Sequence, residues 1–563
     1  MEKAPLNKKL FTGDARHYAL IALVSMLVMA LQFLEPGYYH LFLEDALYTP
    51  RYIKQFEEAF RQGILYPRWM PECFAGYGSP VFVFYSPLFY FLSALLSLAG
   101  LGQAMAVTSL KLLGTFVGGV FVYHLIRDRH SSRAALIAAL LYISLPTRVF
   151  DLYFINTPAG RFSEAWMPVA LFCTGRLVEG PFRRKYFAFA ALSYAALILS
   201  HITTAYLFTP FLVAYGLYGV NPGYHKRSAV RVALVIGTGI CLSAVFFVPV
   251  LFERQFVQLG LLSSLNVFSD WRKPILGFID TPVSPGTLHL WSALRNSIFI
   301  EAGVAAALLY VLRRHKVFRL DRGSKIFAWS LLACIFMMSA LSAFLWKHLP
   351  GFSLVNFPSR YTVIYMLLLA ALSGPAVDAF LLWKGRPKAI SAAFLLILLC
   401  LAVFDAVLIK KSPRPVTEAQ ALADTNQNDM VEYLPKWTSL QYFFRLKKED
   451  PIFSSKDMFS VNISNWGYID RRFKVDAPSG VRLGVKTFFF PGWRAWVDER
   501  ETSIFPDTET GEIVLNVPPG SHHVRLRFMD TPPRAWGKAI SLATLAALVF
   551  PYGAVHRRRH INP

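Results

Sequence analysis

Long apolar runs constrain this chain more than any other feature of its sequence. Runs such as 18–34, 232–251 and 361–383 approach or reach the ~20 residues that a helix needs to cross the hydrocarbon core of a bilayer. Similar runs recur along most of the 563 residues. The sequence therefore predicts a mainly α-helical, polytopic membrane protein.

The chain carries a formal net charge of +23, although 55% of its residues are hydrophobic. Such an excess can indicate nucleic-acid binding, but lysines and arginines of a polytopic protein gather in short cytoplasmic loops. We therefore expect no nucleic-acid partner. Five cysteines are scattered, four of them inside apolar runs, and predict neither a disulfide framework nor a zinc site.

The basic clusters predict a topology. With a cytoplasmic amino terminus, a basic cluster falls at every second connection, which predicts about twelve spans and a cytoplasmic carboxyl terminus. The first run is preceded by lysines and lacks a small-residue cleavage site, so we interpret it as a retained helix. The predicted spans are 18–34, 104–126, 134–149, 164–180, 186–201, 203–219, 232–251, 297–312, 326–346, 360–383, 389–409 and 537–555.

One apolar run does not fit this scheme as a span. Counting 86–102 would place the arginines at 127–133 outside, so we predict that 87–101 lies at the outer interface. A second interfacial helix, amphipathic and ending near Gln62, is predicted in the same outer loop, 35–103. The spanning domain then covers 1–409, and residues 537–563 form the last span and a basic cytoplasmic tail.

Residues 410–536 are predicted to form an extracytoplasmic domain. Its second half alternates apolar and polar residues, as in Val481, Leu483 and Val485, with turn residues at Pro491-Gly492. This pattern predicts an antiparallel β-sandwich. Its strands carry no obvious acid pair or nucleophile, so a stabilising or recognition role is favoured over a catalytic one.

Several polar residues are predicted at one level, the outer membrane boundary. Glu44 and Asp45 follow the first span, Glu164 opens the fourth, His201 ends the fifth and Arg360 begins the tenth. A carboxylate near a partly desolvated pocket can act as a general base, and a guanidinium can bind a lipid phosphate. Alternatively, the acid pair is a solvated helix start, the histidine an interfacial side chain and the arginine a snorkelling residue.

Motifs along most of the chain resemble the C-type glycosyltransferase superfamily (GT-C), polytopic enzymes that use polyprenyl-phosphate sugars. Within it, the chain is most similar to bacterial membrane proteins labelled "6-pyruvoyl-tetrahydropterin synthase-related" and to YfhO-type proteins. The motifs are Glu44-Asp45, Phe60-Arg61-Gln62-Gly63, Tyr66-Pro67-Arg68-Trp69, Gly76-Tyr77-Gly78-Ser79-Pro80, Ser86-Pro87-Leu88-Phe89-Tyr90, Asn356-Phe357-Pro358-Ser359-Arg360, Phe490-Pro491-Gly492-Trp493 and Asp530-Thr531-Pro532-Pro533-Arg534.

The resemblance implies an inverting sugar transfer on the outer face of a bacterial inner membrane, from a polyprenyl-phosphate donor to an envelope glycan, lipid or protein. It implies Asp45 as the base with Glu44 as the alternative, Glu164 as a further acid, and Arg360 with His201 at the donor phosphate. Pterin synthase chemistry is not expected, because His522 and His523 are adjacent on a strand and point to opposite faces.

Two rival hypotheses stay open. One is a transporter or flippase of a lipid-linked precursor. The other is an inactive scaffold, because Thr49 stands where the resemblance implies a histidine. No cofactor and no metal ligand are assigned: Glu44, Asp45 and Glu164 could hold a divalent ion only if they meet in space.

Overall fold

The computed structural model describes 15–34, 38–39, 45–155, 157–219, 225–260, 276, 285–352, 355, 357–385, 387–410, 416–417, 420, 430–439, 450–454 and 458–550. Within these ranges, 38–39, 45–47, 155, 285–291 and 416 are described by their backbone alone. Glu44 and the side chain of Asp45 therefore lie outside the described residues.

The described chain is mainly helical. Proline, which suits the first turn of a helix, begins α9, α10 and α21. The helices are α1 (Ala15–Val28), α2 (Ala30–Leu34), α3 (Asp45–Arg61), α4 (Cys73–Gly76), α5 (Val81–Phe84), α6 (Leu88–Leu96), α7 (Gln103–Arg127), α8 (Ser132–Ser144), α9 (Pro146–Phe150), α10 (Pro158–Ser163), α11 (Trp166–Glu179), α12 (Arg184–Ser200), α13 (Ile202–Ala214), α14 (His225–Leu242), α15 (Ala244–Glu253), α16 (Pro285–Arg314), α17 (Arg322–Met338), α18 (Ala343–His348), α19 (Thr362–Leu382), α20 (Lys388–Lys410) and α21 (Pro532–Val549).

Short π and 3₁₀ turns connect or extend several of these helices. The π turns are Ser97–Leu101, Asp151–Ile155 and Tyr215–Gly219, and the 3₁₀ turns are Arg254–Phe256, Ala340–Ser342, Pro358–Tyr361 and Val431–Tyr433.

Helical segments long and apolar enough to cross a membrane coincide with predicted spans. Within the described ranges there are five, and a sixth if α14 and α15, which meet at a bend of 78°, form one span. Every other predicted span falls on a shorter or less apolar helix, so the count of about twelve and the orientation of the termini stay predictions. The five segments are Gln103–Arg127, Ser132–Phe154, Ser292–Arg314, Pro358–Leu382 and Lys388–Lys410.

The strands lie mostly in one region near the carboxyl end, 452–528, which we call the β domain. They are β1 (Tyr38–Tyr39), β2 (Val416–Thr417), β3 (Ile452–Phe453), β4 (Ser460–Trp466), β5 (Asp470–Ala477), β6 (Val481–Phe488), β7 (Trp493–Val497), β8 (Arg500–Thr502), β9 (Phe505–Pro506), β10 (Glu512–Val517) and β11 (Gly520–Phe528).

The β domain contains two antiparallel sheets, ordered β3-β6-β10-β9 and β4-β5-β11-β7-β8, while β1 pairs with β2. Alternate residues of both sheets, such as Leu483 and Leu526, are fully buried in one shared hydrophobic cluster. This confirms the predicted strand-rich region, whereas the sandwich arrangement and the domain limits 410–536 stay predictions.

The same cluster extends into the loop between the first helix and α7. Tyr52 of α3 packs against Tyr90 of α6, with ring centroids 5.8 Å apart, and the backbone of Phe488 donates to Tyr77 O at 2.9 Å. Gly78 has a φ of +83°, and a Cβ there would lie 2.5 Å from the indole of Trp69. Glycine at this position therefore lets the loop pack closely on Trp69, whose ring makes an edge-on contact with Trp493 and a tilted contact with Phe528 of the β domain.

Ion pairs join the start of α21 to α15 and to the loop between α3 and α4, and we call their four residues the joint: Arg68, Glu253, Asp530 and Arg534. Arg534 donates to Glu253 at 2.7 and 3.1 Å, and also to Pro491 O at 2.9 Å. Arg68 contacts Asp530 at 3.4 Å. Motifs widely separated in sequence thus meet in one place, where α21 begins.

Candidate functional site

The candidate site surrounds the short turns between α8 and α11. α7 begins on the side of the helices that faces the β domain. There Gln103 donates to Glu57 of α3 at 3.1 Å. The chain leaves along α7 and returns along α8, so α9, the turn 151–155 and α10 lie back on the β-domain side. This is the side on which the sequence predicted the site.

Four charged residues form a buried ion cluster in these turns: Arg148, Asp151, Arg161 and Glu164. Arg161 pairs with Asp151 at 2.7 Å, and both arginines pair with Glu164. Each of the four is at most 5% exposed. Charges this deep are tolerated only when they are paired, so the cluster fixes the turns relative to α7 and α11.

Neutral groups complete the cluster. Arg148 donates to Thr115 Oγ1 of α7 at 3.2 Å, and the hydroxyl of Tyr142 donates to Glu164 O at 3.1 Å. Thr362, the first residue of α19, donates to Asp151 Oδ2 at 3.4 Å. The last contact joins the cluster to the start of α19, two residues beyond Arg360.

Arg360 lies in the 3₁₀ turn Pro358–Tyr361 at this same helix start. Its Nη1 donates to Thr203 Oγ1 at 2.9 Å, and its guanidinium lies 5.7 Å from the ring of Phe357. The guanidinium is thus directed at the start of α13, where a hydroxyl contacts one of its donors.

His201 lies between α12 and α13 and caps α13. Its Nδ1 accepts from Thr204 N at 3.2 Å and shares a hydrogen bond with Thr204 Oγ1 at 2.7 Å. Thr203, which accepts from Arg360, lies two residues after His201 at the same helix start. His201, Arg360 and the ion cluster therefore form one continuous polar region.

The structure thus brings three predicted site residues, Glu164, His201 and Arg360, into one neighbourhood. Glu164 lies inside the ion cluster, and His201 serves as a helix cap. Asp45 is the first residue of α3, but its side chain and the whole of Glu44 lie outside the described residues. Their roles, like those of the other three, stay predictions.

Sequence reasoning missed Arg148, Asp151 and Arg161. The signal was present, since Arg148 falls inside the predicted span 134–149, where an unpaired charge is costly. A charge at this position predicts an acidic partner nearby. Across the described part of the chain, no three His, Cys, Asp or Glu side chains lie close enough together to hold a metal ion.

A second pair of buried acids lies deeper, Glu301 of α16 and Asp405 of α20. Glu301 accepts from Thr147 N at 2.6 Å and from Thr147 Oγ1 at 2.9 Å. Both carboxyls face the protein interior, as the cost of a charge in lipid requires. Glu301 therefore fixes the start of α9, next to Arg148 of the ion cluster.

No model of a protein family matches the chain, and no curated protein matches its sequence. Solved structures resemble it weakly. The arabinofuranosyltransferase AftD from Mycobacteria is 15% identical, covering 71% of this chain and 27% of its own, with a TM-score of 0.47. Archaeal oligosaccharyltransferase AglB from Archaeoglobus fulgidus, in complex with an inhibitory peptide and a dolichol-phosphate, is 14% identical, with coverages of 72% and 55% and a TM-score of 0.39.

ArnT from Cupriavidus metallidurans bound to undecaprenyl phosphate is 14% identical over 75% of this chain and 76% of its own, with a TM-score of 0.42. This chain spans about a quarter of AftD and about half of AglB. By name, AftD is an arabinofuranosyltransferase and AglB an oligosaccharyltransferase. The finer likeness to YfhO-type proteins and to the pterin-labelled group has no counterpart among them and stays a prediction.

Proposed function

We propose that the chain is a membrane glycosyltransferase that moves a sugar from a polyprenyl-phosphate donor to an envelope glycan, lipid or protein. The observation that carries the proposal is that Arg360 contacts the start of α13, which His201 caps, while Thr362, two residues beyond Arg360, contacts the ion cluster. We assign the β-domain side to the outer face of a bacterial inner membrane, in keeping with the basic clusters of the sequence.

Arg360 is proposed to bind the donor phosphate. A guanidinium presents two parallel N–H donors to a phosphate, and hydrogen bonds of this charged kind are stronger than neutral ones. The turn that carries Arg360 begins with Pro358, and the contact with Thr203 holds the side chain toward α13. His201 adds a second nitrogen-bearing group beside this position.

Glu164 is proposed to position rather than to abstract a proton. Its carboxylate already pairs with Arg148 and Arg161, so a further proton from an acceptor would break both pairs. The general base then falls to Asp45, with Glu44 as the alternative, as the motif resemblance implies.

In the proposed reaction, this carboxylate takes the proton of an acceptor hydroxyl while the oxygen attacks the anomeric carbon. The bond between that carbon and the phosphate oxygen breaks, and polyprenyl phosphate leaves with the electron pair. Arg360 stabilises the negative charge that grows on the leaving phosphate.

The donor site is tested with the full chain in phosphatidylcholine nanodiscs. We expect Arg360→Ala to weaken binding of undecaprenyl phosphate roughly 10- to 100-fold, since a charged hydrogen bond contributes about 1.5–3 kcal/mol. Arg127→Ala is the matched control. Arg127 also donates to a hydroxyl, Tyr123 at 2.7 Å, and lies 5.7 Å from its ring, but at the opposite end of α7.

The catalytic assignment is tested by sugar transfer from a radiolabelled polyprenyl-phosphate sugar to an envelope fraction. Asp45→Asn is expected to lower kcat and to leave binding of undecaprenyl phosphate unchanged, because it removes a base and not a phosphate ligand. Normal transfer by both Asp45→Asn and Arg360→Ala would contradict the proposal. No transfer by any variant or by the wild type, with normal lipid binding, would indicate the inactive scaffold.

The bend of 78° between α14 and α15 favours a second candidate, translocation of a lipid-linked precursor, since transporters use broken helices. However, Val245 N at the bend donates to Ser541 Oγ at 2.8 Å, and Val245 O accepts from Arg68 at 3.0 Å. These contacts fix the bend. Lipid-linked sugar crossing proteoliposomes without transfer would support this candidate instead.

A further inference from the structure

The five-stranded sheet of the β domain has one buried and one exposed face. Cross-strand pairs point to the same side of a sheet, so the register sorts the side chains. Val524 and Leu526 of β11 lie on the buried face, in the shared cluster. The alternate residues of β11 and their partners lie on the other side, and we call this side the basic face: Arg472, Lys474, Arg494, His523, Arg525 and Arg527.

Basic residues oppose each other in three successive rows of this face. Lys474 lies opposite His523, Arg472 opposite Arg525, and Arg527 opposite Arg494. Like charges directly opposite one another, as in the Arg472–Arg525 and Arg494–Arg527 pairs, destabilise a sheet. A solvent-exposed face with no binding role would be more stable with acidic residues at half of these positions, because opposite charges across strands attract.

Acids on the same face neutralise it only in part. Asp470 binds Arg525 at 2.5 and 3.2 Å and Arg472 at 3.1 and 3.2 Å. Two other acids lie on this face: Asp476 contacts Lys474 and Glu501 contacts Arg494, each at 3.6 Å. Among the described residues, Arg527 has no ion pair. Five Lys or Arg side chains therefore face three carboxylates.

An indole lies in the middle of the basic face. Trp496 of β7 is the cross-strand partner of Arg525, and its side chain is partly exposed. Its ring offers a flat apolar surface beside cationic groups. This combination suits a sugar ring that carries a carboxylate or phosphate, because the ring can stack while the anion pairs with arginine.

We propose that the basic face binds an anionic glycan, which would be the acceptor or the polymer that carries it; this rests on the proposed glycosyltransferase function. A membrane surface fits less well, since membrane-binding faces add several apolar anchors to their basic residues, and here Trp496 is the one aromatic in the three rows. The rows extend about 13 Å along β11.

The test measures binding of polygalacturonate, with neutral dextran as the reference glycan, to the full chain in phosphatidylcholine nanodiscs. We expect polygalacturonate to bind in low salt, more weakly as ionic strength rises, and dextran not to bind. The double substitution Arg494→Glu with Arg527→Glu is expected to weaken binding at least about tenfold, through loss of two charged contacts. The double Lys variant at these positions is expected to bind within about threefold of wild type.

Arg500→Glu is the matched control, because Arg500 is exposed on β8 but pairs with Val497 and so lies on the opposite face. Equal weakening by Arg500→Glu, or unchanged binding by the Glu double variant, would overturn the proposal. If the Glu double variant still bound polygalacturonate but no longer bound phosphatidylglycerol vesicles, the basic face would be assigned to lipid binding instead. Arg360→Ala is expected to bind polygalacturonate normally, so failure here is distinguishable from failure of the donor site.

Discussion

The ion cluster between α8 and α11 and the ion pairs of the basic face use the same chemical groups, and the two can be compared at similar distances. Arg161 contacts Asp151 at 2.7 Å, and Arg525 contacts Asp470 at 2.5 Å. Their surroundings differ, because the first pair is almost wholly buried among apolar helices, whereas Arg525 is 40% and Arg472 54% exposed. Distance alone therefore says little about what such a contact contributes.

The difference lies in what replaces a lost partner. On the basic face, water solvates the remaining charge, and such pairs contribute about 0–1 kcal/mol each. In the ion cluster the side chains are buried, so a remaining charge keeps its desolvation cost. The buried cluster thus commits the helices to one arrangement, while the exposed pairs leave arginines available for an external anion.

The largest effect is expected from Glu164→Gln, which leaves Arg148 and Arg161 without their shared carboxylate. We expect a loss of about 3–5 kcal/mol, measured as the apparent unfolding free energy in detergent. Glu179→Gln is the control, since Glu179 pairs with Arg129 at 2.8 Å but is 28% exposed. Equal losses in the two variants would show that burial is not the deciding factor.

A smaller effect is expected at the joint. Arg534→Met leaves Glu253 buried, and among the described residues the hydroxyl of Thr531 is then its remaining donor side chain; we expect a loss of about 2–3 kcal/mol from the lost charged hydrogen bonds. Because the contact joins the β domain to the helices, limited proteolysis should cut near 530 faster in this variant. Lys538→Met removes an exposed partner of Asp530 and should change neither the unfolding free energy nor the rate of cleavage near 530. Faster cleavage in Lys538→Met would show that the effect is not specific to the buried pair.

The smallest effect is expected on the basic face, and it depends on pH. Partial burial acts to raise the pKa of Asp470, but hydrogen bonds from Arg525 and Arg472 outweigh it and lower the pKa to about 2. Because the pKa is lower in the folded chain, the carboxylate stabilises the sheet above about pH 4 and loses this effect as pH falls toward 2.

Asp470→Asn should therefore cost about 1 kcal/mol at neutral pH and flatten the stability curve between about pH 4 and 2. Urea unfolding followed by tryptophan fluorescence measures both quantities. Glu501→Gln serves as the control at the neighbouring strand. An unchanged acid limb in Asp470→Asn would show that other carboxyls dominate the pH dependence.

The helical architecture could be predicted because its cause is local. Helices lie at the predicted spans as far as the structure describes them, and 87–101 forms α6 and a π turn that packs against α3; the number of spans and the interfacial position of 87–101 stay predictions. The alternation at Val481–Val485 and Val524–Phe528 likewise predicted β6 and β11. Each of these patterns lies within about 20 consecutive residues.

The candidate site was predicted only in part, because its contacts join distant residues. Counting spans predicted a common level for Glu164, His201 and Arg360, but it did not predict that Glu164 pairs with Arg148 and Arg161. Likewise, Arg68, Pro491 and Arg534 were noted within motifs, yet nothing in the sequence indicated that they meet Glu253 in the joint. Contacts across 281 positions, such as Arg534 with Glu253, require the tertiary structure.

The joint also has a consequence for biosynthesis. Glu253 and Arg68 are synthesised well before Arg534 of α21, which follows Glu253 by 281 residues. Until α21 has been made, Glu253 lacks this partner, and its carboxyl stays hydrated or protonated. The joint therefore closes only after residue 534 has been synthesised, and a chain truncated before 534 should be retained as a substrate of membrane quality control.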